Sequence, residues 1–332
     1  MKSTKETKKQ CQELLHYDDF KMKVLDNFMD FMSDEYKDME LRCYEVDKIN
    51  VVKDAICLVG KGFNVSPTLY MDDMYRQYLY NGNFYETLKG FSNSMKNAMK
   101  MKVEFEPKVD FVKKDSKNNI VFQLINTEQN KKLLEKVPHR EFLDLSIVYR
   151  MMVDENEESI ASAMINNDLL NMLGLTENEL FELAKENTKR IMNVTVKSLF
   201  DVILNAPYDI IDDIEEIKMD IPEENPFMMW VITNNKNING AISMVYEDVL
   251  YELAEKLKSD LYIIPSSIHE VIAIPTGSME PYSIAEMVAM INMSEVRLEE
   301  RLSNQVYYYD KELRKISLAT NTQNIRLDTI LC

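Results

Sequence analysis

Apolar positions along the chain switch between a repeat of 3.6 and a repeat of two, and each switch marks an element. Phe20, Val24, Phe28 and Phe31 recur at helical spacing behind Asp18 and Asp19, which predicts an amphipathic helix. Residues 41–46 and 55–59 alternate and read as an antiparallel pair, with Gly60 and Gly62 punctuating its exit. An extended stretch over 65–70 leads into a helix that Asp72 or Asp73 would cap and Gly82 would close. A second helix is expected over 84–101, then a charged surface loop over 106–119. A strand over 120–125 and a short helix over 128–134 precede Pro138, a polar corner, and a long buried strand over 142–153. DENEE reads as a hairpin tip, residues 159–165 as the returning strand, and Asn167 or Asp168 as the start of a brief helix ended near Gly174. TENE, with Thr176 three residues before Glu179, matches a capping box for a helix to about Arg190, and 196–204 reads as one more short helix.

Residues 227–275 hold the only tryptophan, Trp230, and read as strand, hairpin turn, strand, helix, strand, tight turn, strand. A helix over 284–293 follows, and then a strand over 305–310 that pairs with 313–318. Three places share one grammar, a strand running into an Asp-led helix: LYMDDMY at 69–75, MINNDLL at 164–170 and MVYEDVL at 244–250. Asp73, Asp168 and Asp248 coincide in them. The pattern predicts an α+β fold of antiparallel sheets with helices packed on one face, in two or three ββα-type units. The expected layout is a flexible 1–17, an N-terminal α+β module over 18–135, a middle ββα module over 136–208, an acidic linker over 209–225, a C-terminal ββαββα module over 226–318 and a loose tail over 319–332.

Charge narrows the field of partners. The chain carries 39 basic and 56 acidic side chains among 332 residues, a formal charge of −17. Phosphate backbones and anionic membranes repel such a chain, so nucleic-acid binding is disfavoured. An acidic surface also admits the opposite reading, a nucleic-acid mimic. No apolar run approaches the ~20 residues that span a bilayer. The N-terminus lacks a signal-peptide stretch, and Cys11, Cys43, Cys57 and Cys332 form no CxxC pair, so reduced thiols and a cytoplasmic location are expected. The 23 methionines suggest an adaptable binding surface or a compositional bias, and Met29, Met32, Met71 and Met74 fall at core-filling spacings.

Candidate chemistry is sparse. His269–Glu270 begins like a zinc-protease helix, but HEVIA has no second histidine four residues on, and prolines at 265 and 275 frame a strand. Ser266 or Ser267 with His269 could form a nucleophile and base, although no glycine-framed elbow surrounds them. His139, Arg140, Glu141 and Asp144 cluster at a strand start and read as a local ion pair at a sheet rim, with an anion or metal pocket as the alternative. Asn64, Ser66, Thr68 and Tyr70 shape a loop around Pro67 that could bind a ligand. With three histidines in all, a His-rich metal centre is not expected, and no cofactor motif is present.

The strings NVSPTLYMDDMYRQYLYNG, VPHREFLDLSIVYRMMV, LTENELFELAKENTKRI, SDLYIIPSSIHEVIAIP and QVYYYD, in this order over about residues 40–315, resemble a family of uncharacterised proteins of Gram-positive anaerobes, the domain of unknown function five-six-eight-eight. The C-terminal half is similar to a second uncharacterised bacterial family. The resemblance implies one recurrent unit and no activity, substrate or cofactor. The expectation is a non-catalytic cytoplasmic adaptor or regulatory module with a protein partner; the alternatives are a hydrolase built on His269 with Ser266 or Ser267, or on His139, and the acidic mimic.

Overall fold

Helix α1 (Tyr17–Asn27) forms where the 3.6-residue spacing places it, burying Phe20 and Val24, and tightens into a 3₁₀ turn over Phe28–Phe31. The computed structural model describes residues 14–60, 67–104, 116–155, 160–204 and 229–321, except Ser266 and Ser278. The chain divides into two units, one of residues 1–48 and 52–108, the other of 49–51 and 109–332. Of the hairpin tip expected at 154–158, the first two residues end β6 and the rest lie outside the described residues, as do the linker expected at 209–225, Asn64 and Ser66.

In the first unit, β1 (Glu40–Lys48), β2 (Val51–Val59) and β3 (Leu69–Tyr70) form a three-stranded sheet in that order. Helices α2 (Met71–Asn81) and α3 (Phe84–Glu104) follow. Ile56 and Leu58 of the sheet meet Phe20, Met71, Met74, Leu88 and Met95 in one core. Phe20 stacks on Tyr78 at 5.1 Å between ring centroids. Asp72 and Asp73 do not cap α2. Its N-cap is Tyr70, without a side-chain bond, and Asp73 pairs with Arg76 at 2.9 Å instead. Gly82 closes the helix at φ 66°, its N–H on the Tyr78 carbonyl.

The second unit holds two antiparallel sheets. In the four-stranded one, β6 (Leu145–Glu155) pairs along one side with β4 (Ile120–Asn126). Its other side pairs successively with β5 (His139–Phe142) and β7 (Ile160–Met164). The strand expected from residue 142 therefore begins later. HREF is a strand of its own, turned back through Leu143 at φ 58° and Asp144. Helix α4 (Lys131–Leu134) lies between β4 and β5. Helix α5 (Asn167–Leu173) is capped by Asn166, which accepts the Leu169 N–H. The box foreseen at TENE caps α6 (Glu177–Ile191), with Thr176 and Glu179 bonding each other's backbone.

The six-stranded sheet runs β13-β12-β10-β11-β9-β8. It comprises β8 (Val194–Ser198), β9 (Trp230–Asn234), β10 (Leu261–Ile264), β11 (Val271–Pro275), β12 (Tyr307–Asp310) and β13 (Lys315–Leu318). Two expectations change here. Residues 196–204 are not one helix, because 194–198 pair with β9 and only α7 (Leu199–Leu204) is helical. GAISMV is a 3₁₀ turn (Gly240–Val245) ahead of α8 (Glu247–Leu257), not the second strand of a hairpin. Pairing of β4 with β6 crosses the boundary expected at 135/136, and β8 joins the strands beyond residue 229.

Side chains of β10 and β11 alternate between two cores. Leu261, Ile263, Val271 and Ala273 meet α8, α6 and the inner face of the four-stranded sheet. Ile264, Ile272 and Ile274 meet Ile284, Ala285 and Val288 of α9 (Pro281–Ser294). Pro281 starts α9 at its first position, where a missing N–H costs nothing.

Candidate functional site

The stretch that ties the second unit together is residues 298–307, of which the sequence marked only 305–307, as the start of a strand. It begins as a 3₁₀ turn (Leu298–Glu300) and ends entering β12. Much of its work is done by carbonyls. Asn50, buried and at φ 63°, donates its amide to the carbonyls of Leu298 at 2.8 Å and Arg301 at 2.6 Å. Asn126 donates to the Leu302 carbonyl at 3.0 Å, and the Glu300 carbonyl accepts the Ile268 N–H at 2.8 Å. Asn50 and Asn130 exchange two bonds of 2.7 Å. Buried polar groups without partners cost free energy, so this seam is matched donor to acceptor.

Asp144 and His269, from different predicted corners, both end on this segment. Ser303 donates its hydroxyl to Asp144 Oδ2 at 2.6 Å, and the Tyr307 hydroxyl donates to Oδ1. Tyr307 is fully buried. Burial first, and the Asp144 carboxylate second, push its pKa well above the ordinary phenol range. His269 precedes β11 instead of lying in it. Its Nδ1 accepts the Asn239 N–H at 3.3 Å, which leaves the proton on Nε2, 3.9 Å from Glu300 Oε1. Ser267 is buried and its hydroxyl accepts the His269 N–H at 3.0 Å. The His269 carbonyl accepts the Thr233 hydroxyl at 2.8 Å. Gly240 lies so close that a Cβ there would stand 2.3 Å from Thr233 Oγ1 and 2.4 Å from the His269 carbonyl.

The other predicted residues go elsewhere. His139 donates from Nδ1 to the Val137 carbonyl at 3.0 Å. One position on, Arg140 faces the opposite side of the sheet, 3.7 Å over the Phe181 ring and 2.6 Å from Asn178 Oδ1 on α6. Glu141 and Glu270 are exposed. Tyr70, in the first unit, has the Lys48 and Lys53 ammonium groups 5.0 and 5.7 Å from its ring. Ser266 lies outside the described residues. Open grooves of about 560 and 340 Å³ line β1–β2 beside Arg42, Tyr44 and Cys57, and α2–α3 beside Gln77, Thr87 and Gly90. Among the described residues no group of three or more His, Cys, Asp or Glu side chains is arranged to hold a metal ion. None of their helices is long and apolar enough to cross a membrane.

A model of the family of unknown function DUF5688 matches residues 17–311. The chain belongs to that family. The DUF5688 match runs from α1 through β12 and so contains both the 298–307 seam and all of α9. No curated protein and no solved structure matches the chain.

Within this DUF5688 chain the second feature that sequence reasoning missed is the outer face of α9. Its inner residues pack on the sheet, while Tyr282 is 56% exposed, Met290 66% and Ile291 45%, with Met279 and Met293 also exposed. Core methionines such as Met71 and Met74 are fully buried, so composition alone does not account for these. A signal was present: between Lys258 and Arg297 the sequence contains no lysine or arginine.

Proposed function

We propose that the chain is a non-catalytic cytoplasmic protein-interaction module that engages a partner protein through the outer face of α9. The observation that carries the reading is the row of exposed Tyr282, Met290 and Met293 along one face of α9. Exposed apolar side chains gathered on one helix face among polar ones mark interaction sites, and methionine repacks easily against a partner. The hydrolase alternative draws less support. Ser267 points its hydroxyl oxygen at a backbone N–H, and His269 uses one ring nitrogen as an acceptor from Asn239 and carries its proton on the other. A serine hydrolase needs a free ring nitrogen facing the hydroxyl.

Affinity purification of the intact chain from a native extract tests the reading, with size-exclusion chromatography of the eluate. The expected result is one protein at fixed stoichiometry, retained equally by the Ser267→Ala and His269→Gln chains. Recovery of nothing above background counts against it. A hydrolytic activity lost in both variants would restore the enzyme.

A further inference from the structure

We infer that the outer face of α9 receives a basic amphipathic helix of the partner protein, an inference that rests on the interaction reading above and gives the partner its chemistry. Tyr282, Glu286, Met290 and Met293 lie at i, i+4, i+8 and i+11, within a stripe about 80° wide along one face of the helix. At 1.5 Å per residue the row is about 16 Å long, the reach of about three turns of a second helix. Three exposed carboxylates accompany it: Glu280 at the N-cap, Glu286 within the row and Glu295 just past the last turn. One exposed cation, Arg297, follows the last turn, and the other cations near this face lie on the edge strands or are engaged. On the sheet face that α9 covers, Lys197 and Lys315 sit on the two edge strands. Arg301 gives its guanidinium to the carbonyls of Val296 and Met293. An apolar row rimmed by carboxylates matches an apolar stripe flanked by lysines and arginines. A second copy of this chain is the poorer occupant, since it brings Glu280, Glu286 and Glu295 against themselves in a chain of net charge −17.

Fluorescence anisotropy on the intact chain tests the assignment, with a labelled leucine–lysine peptide of about five helical turns as probe and a leucine–glutamate peptide of the same pattern as control. The leucine–lysine peptide binds and the control does not. Met290→Ser and Tyr282→Ser each weaken binding by about tenfold or more, as truncation of a central anchor does. Glu286→Lys weakens it as well, while Glu186→Lys on α6, an identical change of charge, leaves it unaltered. Equal losses from Glu286→Lys and Glu186→Lys would reduce the binding to bulk electrostatics and overturn the assignment. Binding of the leucine–glutamate peptide, or a dimer of the chain that Met290→Ser dissolves, overturns it too. A native partner that still co-purifies with the Met290→Ser chain removes α9 as the surface and leaves the interaction reading standing. Absence of both partner and peptide binding removes both.

Discussion

Replacing Gly240 by alanine adds one carbon where the backbone has no room for it. The new Cβ would stand 2.3 Å from Thr233 Oγ1, 2.4 Å from the His269 carbonyl and 2.9 Å from Thr233 Cα. Two of these three atoms are backbone, so a rotamer change cannot relieve the overlap. Either the 3₁₀ turn lifts off β9 or the Thr233–His269 bond breaks. Overpacking costs about 1–3 kcal/mol, and leaving the carbonyl unsatisfied costs about 1–3 more. The expected loss is about 2–6 kcal/mol, a large share of the stability of an ordinary domain. Trp230 makes the measurement specific: it is the only tryptophan, it is buried, and it lies on β9 in the second unit. Its emission reports unfolding of that unit alone. With a urea dependence of about 3 kcal/mol per molar, the midpoint falls by roughly 0.7–2 M. A Gly240→Ala chain with the midpoint of the parent would show that the turn has slack, and the account of this corner would be wrong.

Three further outcomes are expected. Asp144→Asn and Tyr307→Phe each lower the stability read from the same urea transition by about 1–3 kcal/mol, and the double variant loses less than their sum, because both act on one buried bond; strict additivity would contradict the pairing. Tyr149, Tyr246 and Tyr307 hold their protons more tightly folded than unfolded, in each case chiefly through burial. Above the ordinary phenol pKa of 10.0 the unfolded chain loses those protons first, so stability is intact below that pH and falls above it. The slope reaches about 1.4 kcal/mol per pH unit per tyrosine; urea midpoints at rising alkaline pH show it, Tyr149→Phe makes it shallower, and a flat profile excludes it. Thr176→Ala removes one half of the α6 capping box and costs about 1 kcal/mol, read by circular dichroism during urea unfolding; no change would mean that the helix end is held otherwise.

What the sequence made legible was local. The TENE box declares itself within four residues, and Gly82 and Gly174 stop their helices at positive φ as their type suggests. The reading failed where the deciding partner is far away. VTVKS became a strand because β9 lies beside it, although its apolar residues continue smoothly into LFDVIL. The turn after HREF was hidden because a leucine, Leu143, occupies the left-handed position where glycine or asparagine would have signalled it. Polar corners at Asp144 and His269 were visible as candidates, but their roles depend on residues 298–307. That segment bonds largely through main-chain carbonyls, which every residue possesses, so no residue type marks it. The outer face of α9 escaped for another reason: helical spacing shows that a stripe exists, and only packing shows which stripe is left outside.

The seam at 298–307 also bears on how the chain is made. Ser303 and Asp144 are 159 residues apart, and Asn50 waits 248 residues for the Leu298 carbonyl. At synthesis rates of about 5–20 residues per second, roughly 8–30 s pass between the appearance of Asp144 and that of its hydroxyl partner. During that interval the Asn126 side-chain N–H at the end of β4 and the Asp144 carboxylate ahead of β6 lack the partners that residues 302–307 supply. The second unit therefore has a late-closing register, completed by a segment that arrives after most of its sheets. A ribosome-stalled chain ending before residue 298 should expose this half-built seam to chaperones and proteases, while the full chain conceals it.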